Sequence, residues 1–180
     1  MGTSSTTVGS VRTTQHHIGG EPRLDSNGVA ESATYTQTLT VLIFRGYPRD
    51  TEDSRMIEFY LAADDSATTS TAFRLEGHTG MYWVKVTPRP GVPHSRPHYL
   101  RQFFVAAVPV ASASDSRLRN AIMGTLVNNE DPEFTRFSWI ADVISSLSAG
   151  GFITSEEGDE VVDQTINAIY DAPYGSEPVL

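Results

Sequence analysis

Tyr99-Leu100-Arg101-Gln102-Phe103-Phe104-Val105-Ala106-Ala107-Val108-Pro109-Val110 runs into Ala111-Ser112-Ala113-Ser114-Asp115-Ser116-Arg117-Leu118-Arg119-Asn120-Ala121-Ile122, and the apolar period changes at the junction. The first part is apolar and aromatic over a length suited to one strand, although Phe103 and Phe104 fall on opposite faces and leave its parity open. After Ser112, Leu118, Ile122 and Leu126 recur at helical spacing, and Ser114 or Asp115 can cap a helix running to about Asn128. Segments upstream of this junction read as strands, and those downstream read as helices. That order predicts an α+β fold: an antiparallel meander of about five strands, then about three helices packed on one face.

Upstream, Thr34 to Phe44 is β-branched and largely alternating, and Gly46-Tyr47-Pro48-Arg49-Asp50 breaks it. Met56 to Ala63 directs Ile57, Phe59 and Leu61 to one side and Glu58 and Tyr60 to the other. Asp64-Asp65-Ser66 is a turn. Ala72 to Glu76 sets Phe73 and Leu75 against Arg74 and Glu76, and Gly77-His78-Thr79-Gly80 suits a hairpin with a bulge. Met81 to Thr87 groups Tyr82, Val84 and Val86 on one face, Trp83 and Lys85 on the other. Pro88 to Pro97 reads as a loop, since proline cannot donate to a ladder.

Downstream, Asp131-Pro132 separates the first helix from a second over Thr135 to Ala149, with Phe137, Ile140, Ile144 and Leu147 on one side. Gly150-Gly151 ends it. Thr154-Ser155-Glu156-Glu157 has the form of a capping box and opens a third helix to about Tyr170, with Val162, Ile166 and Ile169 facing inward. Residues 1–32, rich in Ser, Thr and Gly, read as a disordered tail carrying His16 and His17. Residues 33–172 form the single domain, and 173–180 an irregular C-terminal tail.

Composition narrows the function. The 180 residues include no cysteine, which removes thiol nucleophiles, disulfides and Cys-ligated metals. The formal net charge of −9, with few scattered cations, argues against nucleic acid as a partner. Phe103 to Val110 is too short an apolar run to span a bilayer, and no basic stretch adjoins an apolar one near the N terminus. A soluble, cytoplasmic protein without membrane association is the expectation. Dinucleotide, phosphate-loop, nucleophile-elbow and zinc-protease motifs are missing from the sequence. His94 and His98 sit among prolines rather than on a helix face, so neither metal nor cofactor is expected.

One constellation carries chemistry. Glu58, Tyr60, Arg74, Glu76, Trp83 and Lys85 share the strand face opposite the apolar set, and Arg101 or Gln102 is placed to join them. Carboxylates beside cations in a half-buried cleft have shifted proton affinities suited to acid–base work, and an indole supplies apolar area with one donor. An ordinary cross-strand ladder of opposite charges on a wet face is the competing reading. His78 in its glycine-flanked turn, Tyr99, and a lid formed by the His94/His98 loop complete the candidate set.

Phe59-Tyr60-Leu61, Ala72-Phe73-Arg74-Leu75-Glu76, Leu118 to Asn128, Arg136-Phe137-Ser138-Trp139 and Ile144 to Ile153 together resemble a family of small uncharacterised fungal proteins, some encoded beside secondary-metabolite genes. The likeness runs from near Thr40 to near Tyr170. Met56-Ile57 stands where that family usually has His-Trp, and the family's Gly-Cys before the Arg-aromatic-Trp motif has no counterpart here. The resemblance implies a fungal, biosynthetic setting and supplies no catalytic residue. Together these readings lead to an expectation of a cofactor-independent cyclase or isomerase. It would act on an apolar small molecule, with Glu58, Lys85 and Arg101 catalytic and Tyr60, Arg74, Glu76, His78, Trp83 and Tyr99 binding substrate. The alternative expectation is a non-catalytic binding module or homodimer anchored by Trp83 and Tyr60.

Overall fold

Alternating β-branched and apolar residues produce five strands: β1 (Tyr35–Phe44), β2 (Met56–Ala63), β3 (Thr71–His78), β4 (Met81–Pro88) and β5 (Tyr99–Val110). Three helices follow: α1 (Arg117–Gly124), α2 (Arg136–Ala149) and α3 (Ser155–Tyr170). The computed structural model describes residues 35–63 and 70–172, all within the unit Thr34–Leu180. The expected tails 1–32 and 173–180, His16, His17 and the Asp64-Asp65-Ser66 turn lie outside the described residues. The α+β architecture, with its antiparallel sheet preceding the helices, is as the sequence indicates.

All strand pairs are antiparallel, in the order β4-β3-β2-β1-β5. The first four strands form a meander, and β5 returns to the far edge beside β1. The proline-bearing segment 89–98 makes that crossing, with a 3-10 turn at Pro93–Ser95.

The helices cover one face. Leu39, Val41, Ile43, Ile57, Phe59, Leu61, Phe73 and Leu75 meet Leu118, Ile122, Trp139, Ile140, Val143, Ile144 and Leu147 in the main core. Phe59 and Trp139 stack edge to face, 5.8 Å between centroids. Tyr82, Val84 and Val86 pack at its margin.

The helix ends show how local chemistry sets each boundary. Thr135 and Ser138 form a reciprocal capping box at α2, and Thr154 and Glu157 form another at α3. Asp115 accepts the Arg117 backbone N–H at the start of α1, 2.9 Å. That helix stops at Gly124, short of the expected Asn128, because Thr125 turns extended and its hydroxyl bonds back to the Ala121 carbonyl. Leu126 is consequently exposed rather than part of the apolar stripe. In α3 the buried line runs through Val161, Thr165, Ala168 and Ile169, leaving Val162 and Ile166 at its margin. Gly158 lets α3 approach α2, since a Cβ there would lie 2.9 Å from Ile144 Cγ2.

A buried ion pair closes the β1–β2 connection. The Asp50 carboxylate accepts from Arg55 Nε and Nη2 and from the Gly46 backbone N–H, while Arg55 Nη1 donates to the Ala168 carbonyl near the end of α3. A cation at a helix C terminus is favoured by the exposed carbonyls there.

Candidate functional site

Strand register decides which candidate residues meet. Leu42 pairs with Glu58, Thr40 with Tyr60, Arg74 with Lys85, and Glu76 with Trp83. Paired residues share a face, so Glu58, Tyr60, Arg74, Glu76, Trp83 and Lys85 all lie on the face away from the helices. Tyr99 joins them, pairing with Phe44 and stacking on it edge to face.

Arg101 does not. It pairs with Ile43, a residue of the main core, and bonds Asp171 beyond the end of α3 at 3.5 Å. Of the two candidates from β5, Gln102, paired with Leu42, joins the candidate face, and the expected catalytic placement of Arg101 is corrected: the register shift between Ile43 and Phe44 puts it on the helix side although Tyr99, two residues away, is on the other. His78 also stands apart. It pairs with Met81 at the exposed hairpin tip, and Nδ1 lies 3.1 Å from the Thr79 carbonyl.

The candidate face has two halves. Over β1 and β2 the segment 89–98 closes it, in the position anticipated for a lid. The Tyr60 hydroxyl donates toward the Gly91 carbonyl, 2.8 Å, and the Ser70 hydroxyl donates to the Arg89 carbonyl, 2.6 Å. Arg96 reaches down from the same segment, forms an ion pair with Glu58, and lays its guanidinium 4.2 Å from the Phe44 ring centroid. Glu58 is 1% exposed. Leu42, Phe44 and Tyr60 form a second small core beneath this strap. His98, at a positive φ of 63°, gives its carbonyl to the Arg45 backbone N–H and enters β5.

Over β3 and β4 the face is open. Trp83 is 54% exposed and Met81 62%. Arg74 bonds Glu76, and Lys85 Nζ lies 3.1 Å from Glu76 Oε1. Burial raises the Glu76 carboxyl, yet the hydrogen bonds from Arg74 and Lys85 outweigh it and hold the group below the ordinary glutamate range. Trp83 lies over Gly77, where φ is 107° and a Cβ would meet Met81 O at 2.1 Å and Trp83 Cζ3 at 2.9 Å. Only glycine fits this position, and the indole covers it.

The free edge of β4 is blunted. Asn129 gives its side-chain oxygen to the Tyr82 N–H, 2.7 Å, and its amide to the Tyr82 carbonyl, 3.0 Å. Both outward backbone groups of Tyr82 are thus occupied, and Pro88 at the other end has no N–H.

Sequence reasoning missed Arg96, Asn129 and the Asp50–Arg55 pair. Arg96 and Asn129 act from loops across 38 and 47 residues, and the Asp50–Arg55 pair, five residues apart, matters through Arg55's reach to Ala168; no period in the chain marks a loop residue's partner. Among the described residues no group of three His, Asp or Glu side chains is arranged to hold a metal ion. No described helix is long and apolar enough to cross a membrane. No family model, curated protein or solved structure matches the chain.

Proposed function

We propose that the chain is a non-catalytic interaction module whose working surface is the open half of the sheet, and that a second copy of the chain is the partner it fits. The observation that carries this reading is the exposure of Trp83 and Met81 side by side on β4. Tryptophan is the residue most enriched at interface hot spots, and single domains rarely leave large apolar side chains together in water without use. The patch carries both signs, Arg74 and Lys85 beside Glu76, so two copies related by a two-fold axis can set Lys85 of one against Glu76 of the other. Edge-to-edge pairing of β4 is the poorer route. A two-fold centred on Lys85 opposes two like charges, and one centred on Val84 needs the Tyr82 groups that Asn129 holds.

Weighing against a cyclase or isomerase, the Glu58 carboxylate is held by Arg96 beneath the strap, and Arg101 serves the other side of the sheet. A general base must reach the proton it takes. Such a module would work in the fungal biosynthetic setting that the sequence resemblance implies.

Sedimentation velocity across a concentration series tests the reading. The wild-type chain is expected to shift from monomer to dimer, and Trp83→Ser to stay monomeric at every concentration. A wild-type chain that stays monomeric throughout, or a Trp83→Ser variant that dimerises equally well, would overturn it.

A further inference from the structure

β5 is the outermost strand of the sheet at the end away from β4, and it carries a bulge. Leu39 pairs with Ala106 and Thr40 with Phe104, so Val105 has no partner across the ladder. An extra residue of this kind bends its strand and re-aims the side chains beside it. Val105 turns into the main core, whereas Phe104 stays outside and is 60% exposed. A groove of about 300 Å³ opens between this bulge and the first half of α3. Phe104, Val105 and Val161 give it apolar walls, and Glu157, Glu160 and Gln164 give it a polar side.

Both carboxylates in the groove are only half engaged. Glu157 Oε2 accepts from the Thr154 backbone N–H, 2.7 Å, and from its hydroxyl, 2.9 Å. Those bonds hold the Glu157 carboxyl below the ordinary glutamate range, so it is ionised at neutral pH. Glu160 Oε1 accepts from the Gln164 amide, 2.9 Å. Among the described residues, no donor reaches Glu157 Oε1 or Glu160 Oε2, and no cation pairs with either residue. Nor can α3 neutralise them itself. It carries Glu156, Glu157, Asp159, Glu160 and Asp163 and not one Lys or Arg. Acids in a first turn answer the exposed N–H groups there, which accounts for Glu156 and Glu157. Glu160 lies beyond that turn, on the same side of the helix as Glu157. An apolar groove with an exposed aromatic at its mouth and two unneutralised carboxylates on one wall is complementary to a guanidinium on its aliphatic stem.

We propose that this groove docks an arginine-bearing segment of a partner polypeptide. The guanidinium donates to Glu157 Oε1 and Glu160 Oε2, as its planar fork of donors allows, and lies against the Phe104 ring, while its stem rests on Val161. The surface is at the opposite edge of the sheet from Trp83 and does not depend on the role of that residue.

The blocked pentapeptide Gly-Leu-Arg-Leu-Gly and its citrulline counterpart are matched probes, because citrulline keeps the shape of arginine and loses the charge. Each is titrated at constant ionic strength into the ¹⁵N-labelled full chain, and the backbone amides of Phe104, Glu160 and Gln164 are followed. The arginine peptide is expected to give saturable shifts, with an affinity about tenfold above that of the citrulline peptide, the difference a charge-assisted pair makes. Glu160→Gln is expected to weaken the arginine peptide by about fivefold. Glu156→Gln removes the same charge from α3 outside the groove and is expected to change affinity by less than about twofold. Shifts that never saturate, equal affinity for the two peptides, or equal weakening by Glu156→Gln and Glu160→Gln would each overturn the proposal.

Discussion

At the residue scale, the molecule depends on a few buried polar groups whose partners come from afar. Arg55 joins Asp50 to the end of α3, with both side chains less than a tenth exposed. Arg55→Ala leaves the Asp50 carboxylate buried beside Gly46 and is expected to cost about 3–5 kcal/mol in urea unfolding. The same pair sets an acid limit. The hydrogen bonds from Arg55 hold Asp50 below the ordinary aspartate range against the opposing effect of burial. A depressed carboxyl contributes stability fully present above its unfolded value, about 3.9, and lost as pH falls through the folded value. Acid unfolding of the wild type is thus expected to steepen below about pH 4, and Arg55→Ala to flatten that limb. Trp139 supplies the opposite case. It is fully buried, and its indole N–H has no partner among the described residues. Trp139→Phe removes that orphan donor along with some volume, so its cost is expected to fall well below the ~3–5 kcal/mol of Trp139→Ala.

At the element scale, period-two and period-3.6 patterns carried most of the fold. Glu58, Tyr60, Arg74, Glu76, Trp83 and Lys85 share one face because alternation in a strand leaves no other choice. The box opening α3 was legible because Thr154 and Glu157 bond within the same turn, whereas the Thr135–Ser138 box at α2 emerged only in the structure. Arg101 was not legible. Phe103 and Phe104 leave the parity of β5 undecided, and the register shift between Ile43 and Phe44, which separates Arg101 from Tyr99, appears only once β5 lies beside β1. The return of β5 to that edge was also hidden, since a proline-bearing loop gives no direction of travel. The strap is the element that turns this topology into a buried site. Arg96→Ala leaves Glu58 uncompensated beneath it and is expected to cost about 3 kcal/mol, whereas Glu58→Gln keeps a hydrogen-bond acceptor and costs less. A double-mutant cycle in urea between Arg96→Ala and Glu58→Gln should give a coupling of about 1–3 kcal/mol. Additive costs would mean that the ion pair does not hold the strap.

At the scale of the whole molecule, the sheet is covered unequally. Helices cover one face and the strap closes the β1–β2 half of the other, which leaves Trp83 and Met81 in water over β3 and β4, as Phe104 is on β5. The hairpin that presents Trp83 and Met81 is rigidly specified: Gly77→Ala, forced into a positive φ against Met81 O, is expected to cost more than about 1 kcal/mol and to displace Trp83. In the proposed dimer, the edge caps on β4 favour association through the face instead of the strand edge. With two tryptophans in the chain, Trp139→Phe makes Trp83 the sole indole reporter. The most direct measurement is the emission of that variant over rising protein concentration, with acrylamide quenching at each point. The account predicts a water-exposed spectrum at low concentration that moves to the blue and loses quenching as copies associate. A Trp83 emission that stays red and fully quenchable at the highest concentration reached would contradict it.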